Sequence, residues 1–214
     1  MKRYRIYIAI IISISLSIHC VGQTNIPSST KNAPAALDTI SGLAIGEYNP
    51  SFNPFHAWGP DKDTRICMAC NYGRYHGIMY FVGNHPNWND IKLWLTYLEK
   101  ESNARNRYLK VYFIYANETD FTNATREKEL EDLGKELHIQ QVALTYVPSL
   151  TDKESEVYQN QINPAIENNI ILSLDGVIIQ KYLNLKPTEE NFKMLTKTLD
   201  STGREEFTLI PPVH

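Results

Sequence analysis

Hydrophobic and polar positions along this chain alternate between two rhythms. Residues 77–82 (Gly-Ile-Met-Tyr-Phe-Val) form a short, aromatic-rich apolar run that reads as a buried strand. Over 88–101 the apolar residues Ile91, Trp94, Leu95 and Leu98 recur at helical spacing, with Asn87 and Asn89 as candidate caps. A second strand is predicted over 109–116. A helix follows over 125–137, with Leu130, Leu133 and Leu137 on one face and acidic residues in its opening turns. Residues 141–147 read as a third strand. Thr151 and Glu154 make a capping-box pattern ahead of Val157, Tyr158 and Ile162, predicting a helix that Pro164 stops. Runs 170–174 and 177–183 flank Asp175-Gly176, a two-residue hairpin turn signal. A last helix, 188–199, buries Phe192, Leu195 and Leu199.

The predicted order is β-α-β-α-β-α-β-β-α. Strands separated by helices imply parallel crossovers with helices on both faces, and the closing hairpin must be antiparallel. The expectation is an α/β fold with a mixed central sheet flanked by helices. Trp94, Tyr80 and Phe113 fall at core positions and need no ligand to explain them.

The ends of the chain follow neither rhythm. Lys2, Arg3 and Arg5 precede an apolar stretch from Ile6 to Ile18 broken only by serines, the pattern of a secretory signal peptide. The stretch is shorter than the ~20 apolar residues of a spanning helix, so no membrane span is expected. Cys20 closes it where a lipid-modified cysteine would sit, but His19 is large for the preceding position. Cleavage near Gly22 or Gln23 is the preferred reading, and a lipid anchor at Cys20 the alternative. The expected division is a signal peptide over 1–22, a Pro/Ser/Ala/Asn/Thr-rich linker over 23–44, one domain over 45–200 and a tail over 201–214. The product would be exported, periplasmic or extracellular.

Losing the signal takes Lys+Arg from 21 to 18 against 24 Asp+Glu, a formal net charge of −6. With no basic stripe among interleaved aromatics, nucleic acid is not an expected partner. No phosphate-binding glycine loop, spaced carboxylate pair or serine-nucleophile context stands out. Asn117-Glu118-Thr119 and Asn123-Ala124-Thr125 are glycosylation tripeptides if the host modifies them.

The element order, with Ile45-Gly46, Pro50 and Phe52 ahead of the first core strand and Tyr146-Val147-Pro148-Ser149 at a strand end, resembles the redoxin branch of the thioredoxin-like superfamily, the alkyl hydroperoxide reductase/thiol-specific antioxidant-like group. The resemblance covers roughly residues 45–200. It implies a thioredoxin-like fold and a nucleophilic cysteine just after the first core strand. Two departures are visible. That corner reads Gly83-Asn84-His85-Pro86-Asn87-Trp88, without sulfur. Where the family places a cis-proline before the strand near Ile170, this chain has Glu167-Asn168-Asn169, and Pro164 lies too early.

Past the signal the only cysteines are Cys67 and Cys70, spaced C-x-x-C upstream of the first core strand. Their only intramolecular disulfide partners are each other. Such a pair can form a disulfide, relay one by thiolate exchange, or supply two metal ligands. The leading expectation is a redox-active pair with Cys67 and Cys70 as catalytic residues, exchanging with a protein thiol or disulfide partner and needing no cofactor. By family analogy the attacking thiol is Cys67. Arg65 and Arg74 could stabilise a thiolate, whereas Asn71-Tyr72-Gly73 reads as a turn, without helix-terminus activation. The alternative is a non-catalytic redoxin-like domain whose pair is a structural disulfide or a copper or zinc site. The metal form would need further ligands, for which His56, His76 and His85 are the neighbouring imidazoles.

Overall fold

The structure, a computed structural model, describes residues 40–203. The expected signal peptide, Cys20 and most of the linker and tail lie outside the described residues.

Six strands form one sheet in the order β1-β4-β3-β2-β5-β6. β2 (His76–Val82), β3 (Leu109–Tyr115) and β4 (Val142–Tyr146) are parallel. β5 (Asn168–Leu174) runs antiparallel to β2, and β6 (Val177–Leu183) antiparallel to β5 through the Asp175-Gly176 turn. β1 (Phe55–Trp58) closes the other edge, antiparallel to β4. The helices are α1 (Met68–Tyr72), α2 (Trp88–Arg105), α3 (Asn123–Glu136) and α4 (Glu189–Thr202). Asn87, Thr122 and Thr188 cap the last three through their side-chain oxygens.

Alternation along the strands divides the core between the two faces of the sheet. Ile78, Tyr80, Val111, Phe113 and Leu144 pack against Trp94, Leu98, Leu130 and Leu195 of α2, α3 and α4. On the other face Met79, Phe81, Tyr112, Ile114 and Ile171 meet Phe52, Met68, Leu150, Val157 and Ile162. That second layer consists of α1 and irregular segments.

Three local readings change. The helix expected after β4 is only a 3-10 turn, Val157–Asn160. Asp152 Oδ2 accepts from the Ser155 backbone N–H at 2.8 Å, so a side chain satisfies a turn where a capping box was expected to open a helix. β1 and α1 were not predicted: four and five residues are too few to display a period. Glu99 explains how β4 is set. Its buried carboxylate accepts the backbone N–H groups of Gln140, Gln141 and Val142 at 3.0–3.1 Å, pinning the strand's entrance to α2.

Candidate functional site

Asn71 and Tyr72, read from sequence as a turn, belong to the single helical turn α1, and Cys67 is its N-cap. No Ser, Thr, Asp or Asn is placed to cap it, and sulfur takes that role: Cys67 Sγ accepts from the Cys70 backbone N–H at 3.1 Å. The two cysteines are joined as a disulfide with Cα atoms 5.3 Å apart. Their exposure differs. Cys67 is buried at 7% relative exposure, whereas Cys70 is exposed with Ser51 Oγ 3.4 Å from its sulfur.

Met68 fixes this turn to the sheet. It is the buried residue of α1, and it lies over the amino end of β2. A Cβ on Gly77 would stand 2.9 Å from Met68 Cε and 2.7 Å from Ser173 Oγ, so a bare glycine makes the close approach possible. Tyr72 donates to Asp61 Oδ2 at 2.9 Å. Burial, reinforced by that bond, pushes its hydroxyl up to about 12. Lys110 Nζ lies 5.2 Å from the Tyr72 ring and 6.0 Å from the Tyr75 ring. Arg65 donates to the Asn53 carbonyl at 3.1 Å. Trp58 packs on α3, away from the cysteines in its contacts, and donates to the Ile139 carbonyl at 2.8 Å.

The neighbouring imidazoles do not assemble around the sulfurs. His56 is fully buried, its ring nitrogens 3.1 and 3.2 Å from the carbonyls of Pro60 and Ile66. His76 Nε2 meets Thr202 Oγ1 at 3.1 Å beside α4, and burial together with the Arg105 charge lowers its pKa. His85 is exposed on the loop entering α2. Among the described residues, the one cluster of three groups spaced to hold a cation is Asp63, Glu127 and Glu131, which excludes both cysteines; Lys62 already faces Asp63 and Glu131.

The sulfur-free corner lies at the other end of β2, a strand length of roughly 20 Å from Gly77. Asn84 Oδ1 accepts the Glu118 N–H at 3.0 Å, and Asn87 caps α2. Lys186 bridges Asp90 and Glu167 at 3.1 and 2.9 Å across the approach to β5. The described residues contain no cis peptide bond. The cysteines and the customary corner are therefore separate places. Of the two glycosylation tripeptides, Asn117 is buried and bonded to Tyr115 and Thr119, while Asn123 is exposed.

Chemically, the arrangement offers one sulfur to solvent and withdraws the other. An external thiolate that reached Cys70 Sγ would expel Cys67, whose sulfur already faces an N–H donor able to stabilise the leaving thiolate. Sequence reasoning found the pair and Arg65 and Arg74. It missed Ser51, Asp61 and Lys110, which only tertiary contacts bring to α1.

Neither a protein-family model nor a curated protein sequence matches the chain. Solved structures do resemble it. An uncharacterized conserved protein of Geobacillus kaustophilus superposes with a TM-score of 0.56 at 13% identity, over 76% of this chain and 84% of that one. A protein described as the thiol:disulfide interchange protein DsbE of Chlorobium tepidum does so with a TM-score of 0.52 at 9% identity, over 74% of this chain and 97% of that one. A hypothetical protein of Sinorhizobium meliloti gives 0.56 at 12% identity, over 74% and 84%. At these identities the likeness establishes the fold, which is thioredoxin-like, as the element order implied.

Proposed function

We propose that this protein is an exported thiol–disulfide exchange protein whose reactive pair is Cys67 and Cys70, with a protein thiol or disulfide as partner. The observation that carries this reading is the asymmetry of the disulfide. Cys70 is open to an incoming thiolate, while Cys67 is buried as the cap of α1. This exposure reverses the roles suggested by family analogy: Cys70 becomes the sulfur through which a partner enters, and Cys67 the one that leaves and later resolves the mixed disulfide. The likeness to the interchange protein DsbE of Chlorobium tepidum is consistent with such chemistry. The expected signal peptide over 1–22, cleaved near Gly22 or Gln23, would put the 45–200 domain in an oxidising compartment where the pair can cycle. Among the described residues no helix is long and apolar enough to cross a membrane.

Two measurements test the reading. In a Cys67→Ser variant, Cys70 should accumulate a trapped mixed disulfide with a partner, because the resolving sulfur is gone. The potential of the wild-type pair should lie above about −300 mV, in the range of exchangeable disulfides. A lower potential, with no reduction by glutathione or thioredoxin, refutes the proposal. N-terminal mass analysis of the secreted or periplasmic fraction tests the cleavage.

A second reading is a non-catalytic domain in which the pair is a structural disulfide or, when reduced, part of a copper or zinc site. The sulfur-free corner at 83–87, and Glu167-Asn168-Asn169 where the resembled family places a proline, favour it. Metal content after anaerobic purification, compared with that of Cys67→Ser, separates its two forms.

A further inference from the structure

A solvent-open groove of about 590 Å³ runs between α2 and α4 and shares no lining residue with the cysteine site. The two helices lie side by side. Tyr97 Oη donates to the Phe192 carbonyl at 3.0 Å, Thr196 Oγ1 donates to Glu101 at 3.1 Å, and Arg105 pairs with Asp200. The floor is aromatic, with the rings of Tyr97 and Phe192 stacked at 4.4 Å and 10° between their planes. Leu93, 52% exposed, carries the apolar surface on toward the start of α4. This size and lining are those of a small-ligand site.

The charges lining the groove differ in how they are satisfied. Glu101 and Asp200 are both bonded to Arg105, and Glu189 stands in the first turn of α4, where the helix dipole favours a carboxylate. Lys100, Lys193 and Lys197 are exposed, and among the described residues none has an ion-pair or hydrogen-bond partner. Because Glu101 meets Thr196, the adjacent Lys100 and Lys197 stand at one level on opposite walls. Two like charges therefore close one end of the groove with no anion bonded to either. Leu93 marks the other end, roughly 10 Å away along α2.

We infer that this groove binds a small amphipathic carboxylate, a medium-chain fatty acid of about ten carbons, its chain along Leu93, Phe192 and Tyr97 and its head between Lys100 and Lys197. The site is independent of the exchange reading. Removing the chain from water supplies most of the affinity, and the two lysines fix its direction through charge-assisted hydrogen bonds. An ammonium head on the same chain would meet two uncompensated like charges instead.

The test titrates the full-length protein with decanoate, decylammonium and butanoate by calorimetry, each below its micelle-forming concentration. Decanoate should bind at one site with a dissociation constant of about 0.1 mM, and the other two at least about tenfold more weakly. Butanoate reads the head group without the chain, and decylammonium the chain with the opposite charge. Lys100→Gln and Lys197→Gln should each weaken decanoate about threefold, and the double variant about tenfold. Both side chains are exposed and unpartnered, so the melting temperature should stay unchanged as a control on folding. Absence of saturable decanoate binding, an equal or higher affinity for decylammonium or butanoate, or a decanoate affinity unmoved in the double variant overturns the inference.

Discussion

Met68 and Gly77 are the contact on which the position of the cysteine pair depends, and their coupling can be measured. Met68→Ala removes three buried heavy atoms, worth roughly 0.8 kcal/mol each in transfer from water, or about 2.4 kcal/mol together. A cavity term adds to this, because Gly77 has no side chain with which to fill the space, and the total is about 3 kcal/mol. Gly77→Ala alone forces a methyl to 2.9 Å from Met68 Cε and 2.7 Å from Ser173 Oγ. Such overpacking costs about 2 kcal/mol. In the double variant the new methyl occupies part of the space that Met68 has left while its contact with Ser173 Oγ remains, so the combined loss should be about 4 kcal/mol, with a coupling energy of roughly 1 kcal/mol. Urea unfolding of the oxidised proteins, followed by tryptophan fluorescence, reads this as midpoint shifts at constant slope. The single variant Met68→Ala should also speed reduction by dithiothreitol, because α1 has lost its anchor. Additivity within about 0.5 kcal/mol would refute the contact, and with it the account of how α1 is held on the sheet.

Other outcomes follow from separate contacts. After reduction, brief alkylation should label Cys70 at least tenfold faster than Cys67 as judged by peptide mass mapping, since only Cys70 is exposed. Glu99→Gln places an amide group against backbone N–H donors that now point at a carboxylate; a loss of about 3 kcal/mol in denaturant unfolding is expected. Gly134→Ala, ordinarily favourable in a helix by about 1 kcal/mol, should instead destabilise by about 2 kcal/mol, because the new Cβ would fall inside the Trp58 indole that Ile139 holds in place. His76 has a folded-state pKa below its unfolded value near 6.5, through burial and then the Arg105 charge. The unfolded chain therefore takes up the proton first. Stability should fall as pH drops below about 6.5, and His76→Asn should flatten that slope in unfolding curves collected across pH 5–7.

Strands β2 to β6, the three long helices and the hairpin are legible in the sequence because each is long enough to show its period and carries local stop signals. Asn87 caps α2, and Asp175-Gly176 turns β5 into β6. The thioredoxin-like order followed from these elements. Segment 151–164 misled because a capping-box pattern and a few apolar residues also suit a chain that packs Val157 and Ile162 through turns. α1 was hidden for the opposite reason: its turn is held by the contact of Met68 with Gly77 and by a sulfur cap, and neither leaves a periodic trace.

What the sequence determined by itself is that the pair precedes the first core strand and that the corner after this strand has no sulfur. Both are statements of chain order, and folding cannot alter them. Only the tertiary structure decided that Cys70 faces solvent while Cys67 does not, that Ser51, Asp61 and Lys110 gather at α1, and that the three histidines point elsewhere. These depend on which residues far apart in the chain share the amino end of β2, and that is fixed by packing across the sheet, which a one-dimensional pattern does not record.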